Sequence, residues 1–155
     1  MLGNLLLFSP FFIVLNCGVS GGAQLSPVAF TALLDGNNQY EQDDTVIYNV
    51  IRTNAGGNYN ETTGIFTAPD AGVYFFTWST LTSPYKRLNT AIVKNSSSGY
   101  IAYSSCAAFP DTYTTCSQST TVELVPGDRI WIVVYKMAVQ DLHGGQWPTF
   151  SGFKL

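Results

Sequence analysis

The feature that most constrains the fold of this chain is a succession of short apolar runs separated by turn-forming clusters. No stretch after residue 27 shows the period of about 3.6 residues that marks an amphipathic helix. The runs are rich in β-branched and aromatic residues, and Gly, Pro, Asn, Asp and Ser lie between them. Many short strands at regular spacing indicate an all-β sandwich or jelly roll. The predicted strands are 28–34, 46–51, 72–78, 90–93, 100–104, 119–125, 129–135 and 149–155.

Two of these predicted strands are apolar on both faces. The run 73–78 places three aromatic rings on one side and Val73 with Phe75 on the other, and the run 130–135 alternates in the same way. In a two-layer sandwich, one face of most strands is normally exposed to water. The second face therefore needs a cover, either a loop of the same chain or a neighbouring subunit. We expect an oligomer on this ground.

The first residues have the layout of a secretory signal peptide. No side chain before Asp35 is charged, and the apolar stretch 5–15 is followed by small residues at 18–23. A membrane-spanning helix needs about 20 apolar residues, and this run is shorter and contains Pro10. We predict a signal peptide over 1–23, cleaved after Ser20 or Ala23, and a secreted, extracellular domain over 24–155. A retained anchor or a buried first strand is the alternative.

Cysteine and sequon usage agree with secretion. Cys17 lies in the leader, which leaves Cys106 and Cys116 as a pair that we expect to form a disulfide in an oxidising compartment. Two free buried thiols are the alternative. Asn60 and Asn95 each begin an N-x-[ST] sequon and are predicted glycosylation sites.

The charge pattern argues against nucleic acid as a partner. The net charge is −3, and the seven basic residues are scattered, with Lys86 and Arg87 the one adjacent pair. A duplex-binding protein needs a basic stripe that displaces counterions. The acidic balance also disfavours docking to an anionic membrane. We predict neither nucleic-acid binding nor membrane insertion.

The sequence carries no recognisable catalytic constellation. His143 is the one histidine, and no nucleophile motif surrounds it, so we interpret it as a loop residue of a protein that is not an enzyme. No cofactor is predicted. Carboxylates at positions 43, 44, 111 and 141 fall in predicted loops and are candidates for a calcium site, but their spacing assigns no ligands.

Several blocks together resemble the signature of the globular head domain of complement C1q. The central block comprises Asn54, the segment YNETTGIFTAP at 59–69 and the segment AGVYFF at 71–76. The similarity continues with VAFTA at 28–32, VPGDRIW at 125–131 and TFSGFKL at 149–155, and so covers about residues 25–155.

This resemblance implies a jelly-roll sandwich of two antiparallel sheets, similar to tumour necrosis factor, that assembles as a homotrimer. Many members carry a collagen stem of Gly-X-Y triplets before the head. No triplets precede Val28, so the chain looks like a secreted head-only member. The resemblance also assigns turn geometries with positive φ to Gly64, Gly72 and Gly127, and core positions to Phe30, Phe66, Tyr74, Phe76, Phe150 and Phe153.

The function that the resemblance implies is recognition through loops. We expect a lectin-like protein of innate immunity that binds carbohydrate or microbial surface ligands. The alternatives are a stemless cerebellin-like or cytokine-like ligand for a cell-surface receptor, and a structural component of the extracellular matrix. Loop aromatics and polar groups suited to ligand contact are Tyr85, Lys86, Arg87, Tyr113, His143 and Trp147.

Overall fold

The computed structural model describes residues 27–136 and 139–155. The predicted signal peptide lies outside these residues. Within them the regular structure is entirely strand, and none of it is a helix able to cross a membrane. The strands are β1 (Ala29–Leu33), β2 (Asn38–Glu41), β3 (Val50–Ala55), β4 (Tyr59–Asn60), β5 (Ile65–Thr67), β6 (Gly72–Thr82), β7 (Arg87–Lys94), β8 (Tyr100–Ala107), β9 (Thr114–Leu124), β10 (Arg129–Val134), β11 (Val139–Leu142) and β12 (Thr149–Lys154).

The strands form two antiparallel sheets. A seven-stranded sheet has the order β2-β11-β6-β12-β1-β3, with β9 pairing the other edge of β6, and a five-stranded sheet has the order β4-β5-β10-β7-β8. Both sheets join strands that are distant in sequence, as β12 shows by lying between β1 and β6. The all-β jelly-roll sandwich predicted from the sequence is confirmed.

Aromatic rings from both sheets fill the space between them. The ring of Phe30 stacks on Tyr59 at 4.6 Å and meets the edge of Phe150 at 5.0 Å, measured between ring centroids. The indole Nε1 of Trp78 donates to Thr90 Oγ1 at 3.0 Å, which joins the sheets through a buried hydrogen bond. Each buried aromatic side chain stabilises the fold by about 1.5–3 kcal/mol relative to exposure. The two layers are therefore held mainly by this interior.

One predicted core residue is on the surface. Phe30, Phe66, Tyr74, Phe76 and Phe150 are buried as expected, but 43% of Phe153 is exposed. Side chains alternate along β12, so Phe150 and Gly152 face the interior and Phe153 faces outward. A methyl group on Gly152 would lie 2.5 Å from a ring carbon of Phe76, so this inward position has no room for a side chain.

The second predicted strand is displaced in the structure, where it corresponds to β3. We expected a strand over 46–51 and a turn after it, whereas β3 runs from Val50 to Ala55 and pairs with β1. Val46 and Tyr48 are nonetheless fully buried. They precede the strand as extended chain, and the Val46 amide donates to the Ile132 carbonyl at 2.9 Å. Val46 and Tyr48 are thus buried although they belong to no strand, and their burial explains why this segment has the apolar pattern of a strand.

The two doubly apolar strands are covered differently. On the outer face of β10, Trp131 and Val133 are buried beneath partly buried side chains of the same chain, including Tyr100 and Tyr135. On the outer face of β6, Val73 remains 45% exposed beside the 43% exposed Phe153 of β12. The chain thus supplies the cover for β10, whereas the outer face of β6 remains open only near its start, since Ser79 and Leu81 further along this face are buried.

The two ends of the sandwich differ in content. The described chain begins and ends at one of them, where the amides of Lys154 and Leu155 bond the carbonyls of Val28 and Val73. The opposite end, here called the loop end, is formed by connections that leave the far ends of the same strands. These connections are residues 34–37, 83–86, 108–113 and 143–148.

Candidate functional site

The six residues that the sequence analysis proposed for ligand contact all lie at the loop end. Three strands reach it together, because Thr82 at the end of β6 pairs with Thr114 of β9 and with Leu142 of β11. The connections that follow or precede these residues therefore converge. They carry Tyr85 and Lys86 before Arg87 at the start of β7, Tyr113 before β9, and His143 with Trp147 between β11 and β12.

A disulfide closes one of these connections. Cys106 of β8 is bonded to Cys116 of β9, with a Cα–Cα distance of 5.8 Å. The two strands belong to different sheets, so the bond ties the sheets together at the base of the 108–113 loop. Tyr113 lies within the loop that this bond closes, so the bond limits how far Tyr113 can move from the loop end.

Three of the predicted residues form one depression, here called the aromatic cleft. Tyr113, His143 and Trp147 line it together with Leu81 and Thr115, around a volume of about 390 Å³. The rings of Tyr113 and His143 are 4.8 Å apart between centroids. Trp147 is 72% exposed and Tyr113 is 55% exposed. Aromatic faces this accessible are suited to stacking on a ligand ring.

A second depression, here called the amide cleft, shares His143 with the first. Its volume is about 250 Å³. Lys86 Nζ lies 3.1 Å from Asp141 Oδ2, and Gln39 Nε2 donates to Asp141 Oδ1 at 3.0 Å. These hydrogen bonds, that of Gln39 first, lower the pKa of Asp141. The lining residues are Asn37, Asn38, Gln39, Ser83, Asp141, Leu142 and His143.

Two of the predicted residues, Tyr85 and Arg87, are exposed outside both clefts. Tyr85 is 71% exposed and adopts a positive φ of 62° in the β6–β7 turn. Arg87 is exposed at the first position of β7. Neither lines the aromatic or the amide cleft. Sequence reasoning missed the amide side chains of residues 37–39, although three consecutive amides at the start of β2 are themselves a signal of a polar surface.

Three of the four carboxylates considered for calcium have other partners. Asp43 Oδ1 accepts from the Tyr100 hydroxyl at 3.2 Å, Asp44 Oδ2 accepts from the Glu41 amide at 2.7 Å, and Asp141 is paired with Lys86. Across 27–136 and 139–155, no three His, Cys, Asp or Glu side chains form a group that could hold a metal ion. The structure therefore groups none of these carboxylates into a site.

The two sequon asparagines have different surroundings. The Asn60 side chain is exposed, and its Oδ1 accepts from the amides of Thr62 and Thr63. The Asn95 Nδ2 donates to Asp128 Oδ1 at 2.8 Å, and its Oδ1 accepts from the Arg129 amide. Glycosylation at both stays a prediction, and the free environment of the amide nitrogen favours Asn60.

Comparison with known proteins yields one family. A family model described as the C1q domain matches residues 29–155. Complement C1q tumor necrosis factor-related protein 6 of Mus musculus is 33% identical over 92 residues, which cover 59% of this chain and 34% of that protein. Complement C1q tumor necrosis factor-related protein 3 of Homo sapiens is 30% identical over 117 residues, which cover 74% of this chain and 46% of that protein. The chain thus spans between a third and a half of the length of these relatives.

Solved structures share the fold at lower identity. The globular domain of zebrafish complement 1qA protein is 22% identical with a TM-score of 0.69, covering 83% of this chain and 97% of that one. The Eiger TNF of S. frugiperda is 11% identical with a TM-score of 0.68, covering 84% of this chain and 93% of that one.

Proposed function

Because the chain belongs to the C1q domain family, we propose that it is a secreted binding protein that recognises carbohydrate on cell or microbial surfaces through its loop end. Its role would be lectin-like recognition in innate immunity. The proposal includes no catalytic step. The observation that carries it is the aromatic cleft, where the exposed indole of Trp147 faces a volume shared with Tyr113 and His143.

The chemistry of the cleft suits a sugar ring. A pyranose presents apolar C–H groups on its faces and hydroxyl groups at its edge. The rings of Trp147 and Tyr113 offer apolar surface to the faces. Polar side chains around a cleft fix the orientation of a ligand, and those of the adjoining amide cleft would bond the hydroxyls.

Assembly into a homotrimer would multiply a weak single-site affinity. The supporting observation is an apolar patch on the outer face of the seven-stranded sheet, formed by exposed Val73 and Phe153 with half-buried Phe75, whose ring lies 5.4 Å from that of Phe153. Exposed apolar patches mark interaction surfaces. Three copies joined there would present three loop ends to one surface, with a gain in avidity.

Glycan binding by residues 24–155 tests the proposal. A printed array of neutral and acidic glycans, lipopolysaccharide and peptidoglycan should give binding that Trp147→Ala lowers at least tenfold. Tyr85→Ala is the matched control, because Tyr85 is equally exposed at the loop end but lies outside both clefts. Silence of the whole array would refute carbohydrate recognition.

The relatives favour a second candidate, a ligand for a cell-surface receptor. The curated relatives are named C1q tumor necrosis factor-related proteins, and Eiger TNF shares the fold. Exposed Phe109 and Tyr85 at the loop end would then be contact residues. Saturable binding to cultured cells that protease treatment of the cells abolishes and glycosidase treatment leaves intact would establish this candidate over the first.

A further inference from the structure

A third depression continues the two clefts of the loop end. Here called the strand cleft, it lies along β2 with a volume of about 570 Å³. It shares Asn38 and Gln39 with the amide cleft, as the amide cleft shares His143 with the aromatic cleft. The three depressions are therefore neighbours on the surface, with the amide cleft between the other two. The strand cleft is lined by Asn38, Gln39, Tyr40, Asp44, Thr45, Ile47 and Asn49.

We propose that the three clefts form one extended site for a linear, neutral oligosaccharide, with Trp147 stacking on one sugar unit and the amides of β2 bonding the units that follow. This inference rests on the proposed carbohydrate recognition and specifies the class of ligand. A single small-molecule pocket spans roughly 300–1,000 Å³. Three neighbouring clefts that share lining residues, the largest about 570 Å³, would provide subsites for more than one sugar.

The polar side chains that line the three clefts are suited to hydrogen bonding with sugar hydroxyl groups. An amide side chain both donates and accepts, as a sugar hydroxyl does. Several of these amides are already held in place by hydrogen bonds. Asn37 Oδ1 accepts from the Gly144 amide at 3.0 Å, and Gln39 Nε2 donates to Asp141. Asn49 is held twice, since its Oδ1 accepts from the Asp35 amide at 2.8 Å and its Nδ2 donates to the Asp35 carbonyl at 3.2 Å. A side chain fixed in this way loses less conformational entropy on binding.

The charges that line the three clefts favour a neutral ligand. Two carboxylates are among the lining residues, Asp141 in the amide cleft and Asp44 in the strand cleft. The charge of Asp141 is compensated by Lys86 at 3.1 Å. Asp44 accepts a hydrogen bond from the neutral Glu41 amide. A polyanionic glycan would be repelled by the remaining negative charge of Asp44, whereas a neutral chain incurs no such repulsion.

Titration calorimetry with chito-oligosaccharides and malto-oligosaccharides of one to five units tests the inference. For one of these series we expect the affinity to rise at least tenfold from the monosaccharide to the trisaccharide. Gln39→Ala should lower the trisaccharide affinity at least fivefold and the monosaccharide affinity by a smaller factor, because Gln39 lines both the amide cleft and the strand cleft. Gln42→Ala is the matched control, an exposed amide one residue beyond β2 that lines none of the three clefts.

The outcomes separate this inference from the proposed function. Affinity that does not change with chain length, or a Gln39→Ala protein that binds the trisaccharide like the wild type, overturns the extended site. Array binding confined to acidic or branched glycans, with no binding to either linear series, also overturns it and leaves carbohydrate recognition standing. The length series uses the wild-type protein, so it decides the question even if a variant fails to fold.

Discussion

Asp128 shows how a single side chain organises the end of the sandwich opposite the loop end. It lies in the turn between β9 and β10, and its carboxylate accepts hydrogen bonds from Asn95 Nδ2 at 2.8 Å and the Val125 amide at 2.9 Å. Lys94 Nζ lies 2.7 Å from Asp128 Oδ2. The Asn95 bond, then that of Lys94, lowers the pKa of Asp128 from 3.8 to about 2.

This environment predicts an acid-sensitive contribution to stability. Because the pKa is lower in the folded state, the ionised carboxylate stabilises the fold above pH 3.8, and this contribution is lost as the pH falls toward about 2. Asp128→Asn should lower the unfolding midpoint at pH 6 and make it less sensitive to acid. Thermal unfolding of both proteins between pH 6 and 2 measures this, and parallel curves would contradict the account.

A buried hydroxyl gives a prediction of the opposite sign. Thr82 is fully buried at the end of β6, and its Oγ1 has no hydrogen-bond partner in the described part of the chain. An unsatisfied buried polar group costs about 1–3 kcal/mol. Thr82→Val keeps the shape and should raise the free energy of unfolding by about 1 kcal/mol. Denaturant titration measures it.

Thr90→Val is the matched control for this substitution. Thr90 is equally buried, but its Oγ1 accepts the hydrogen bond of the Trp78 indole. The control should therefore lower the stability, because it leaves a buried donor unpaired. A decrease for both variants would show that the Thr82 hydroxyl is bonded in solution.

At the scale of elements, the β8–β9 connection depends most on one covalent bond. The Cys106–Cys116 disulfide spans a sequence separation of 10 and joins edge strands of the two sheets. On the chain-entropy model, closing such a loop stabilises the fold by about 3 kcal/mol. The double variant Cys106→Ala with Cys116→Ala should lose an amount of this order in chemical denaturation.

The same double variant tests whether the disulfide also supports ligand binding at the loop end. Tyr113 would no longer be restricted, so glycan binding should weaken even at temperatures where the protein stays folded. A variant that keeps its fold and binds like the wild type would show that the bond serves stability alone.

The strands that could be predicted from the sequence are those with short runs of apolar, β-branched and aromatic side chains. Residues 72–78 and 129–135 predicted β6 and β10 because both runs consist largely of such residues on both faces. Asn38–Glu41 was not predicted, since its side chains are polar and it is a strand only through pairing with β11. The polar half of the candidate site was missed for the same reason, because its residues converge through pairings that no local pattern records.

At the scale of the whole molecule, the prediction of a trimer rests on the exposed apolar side chains of Val73 and Phe153 on the outer face of the seven-stranded sheet. Phe153 is exposed on this face, so Phe153→Asp removes little from the interior and introduces a charge into the proposed interface. The variant should sediment as a folded monomer where the wild type sediments as a trimer. Tyr103→Asp, half-exposed on the five-stranded sheet, is the control and should remain trimeric. A monomeric wild type would refute the assembly.

The measurement that tests the central claim most directly locates the bound ligand on the fold. Amide hydrogen exchange, with and without a saturating glycan selected from the array, reports which backbone segments become protected. We predict protection in residues 34–39, 108–113 and 143–148, and unchanged exchange in the turn 125–128 at the opposite end. Protection confined to the opposite end or to the outer face of β6, with the loop end unchanged, would contradict the claim that this protein recognises its ligand through the loop end.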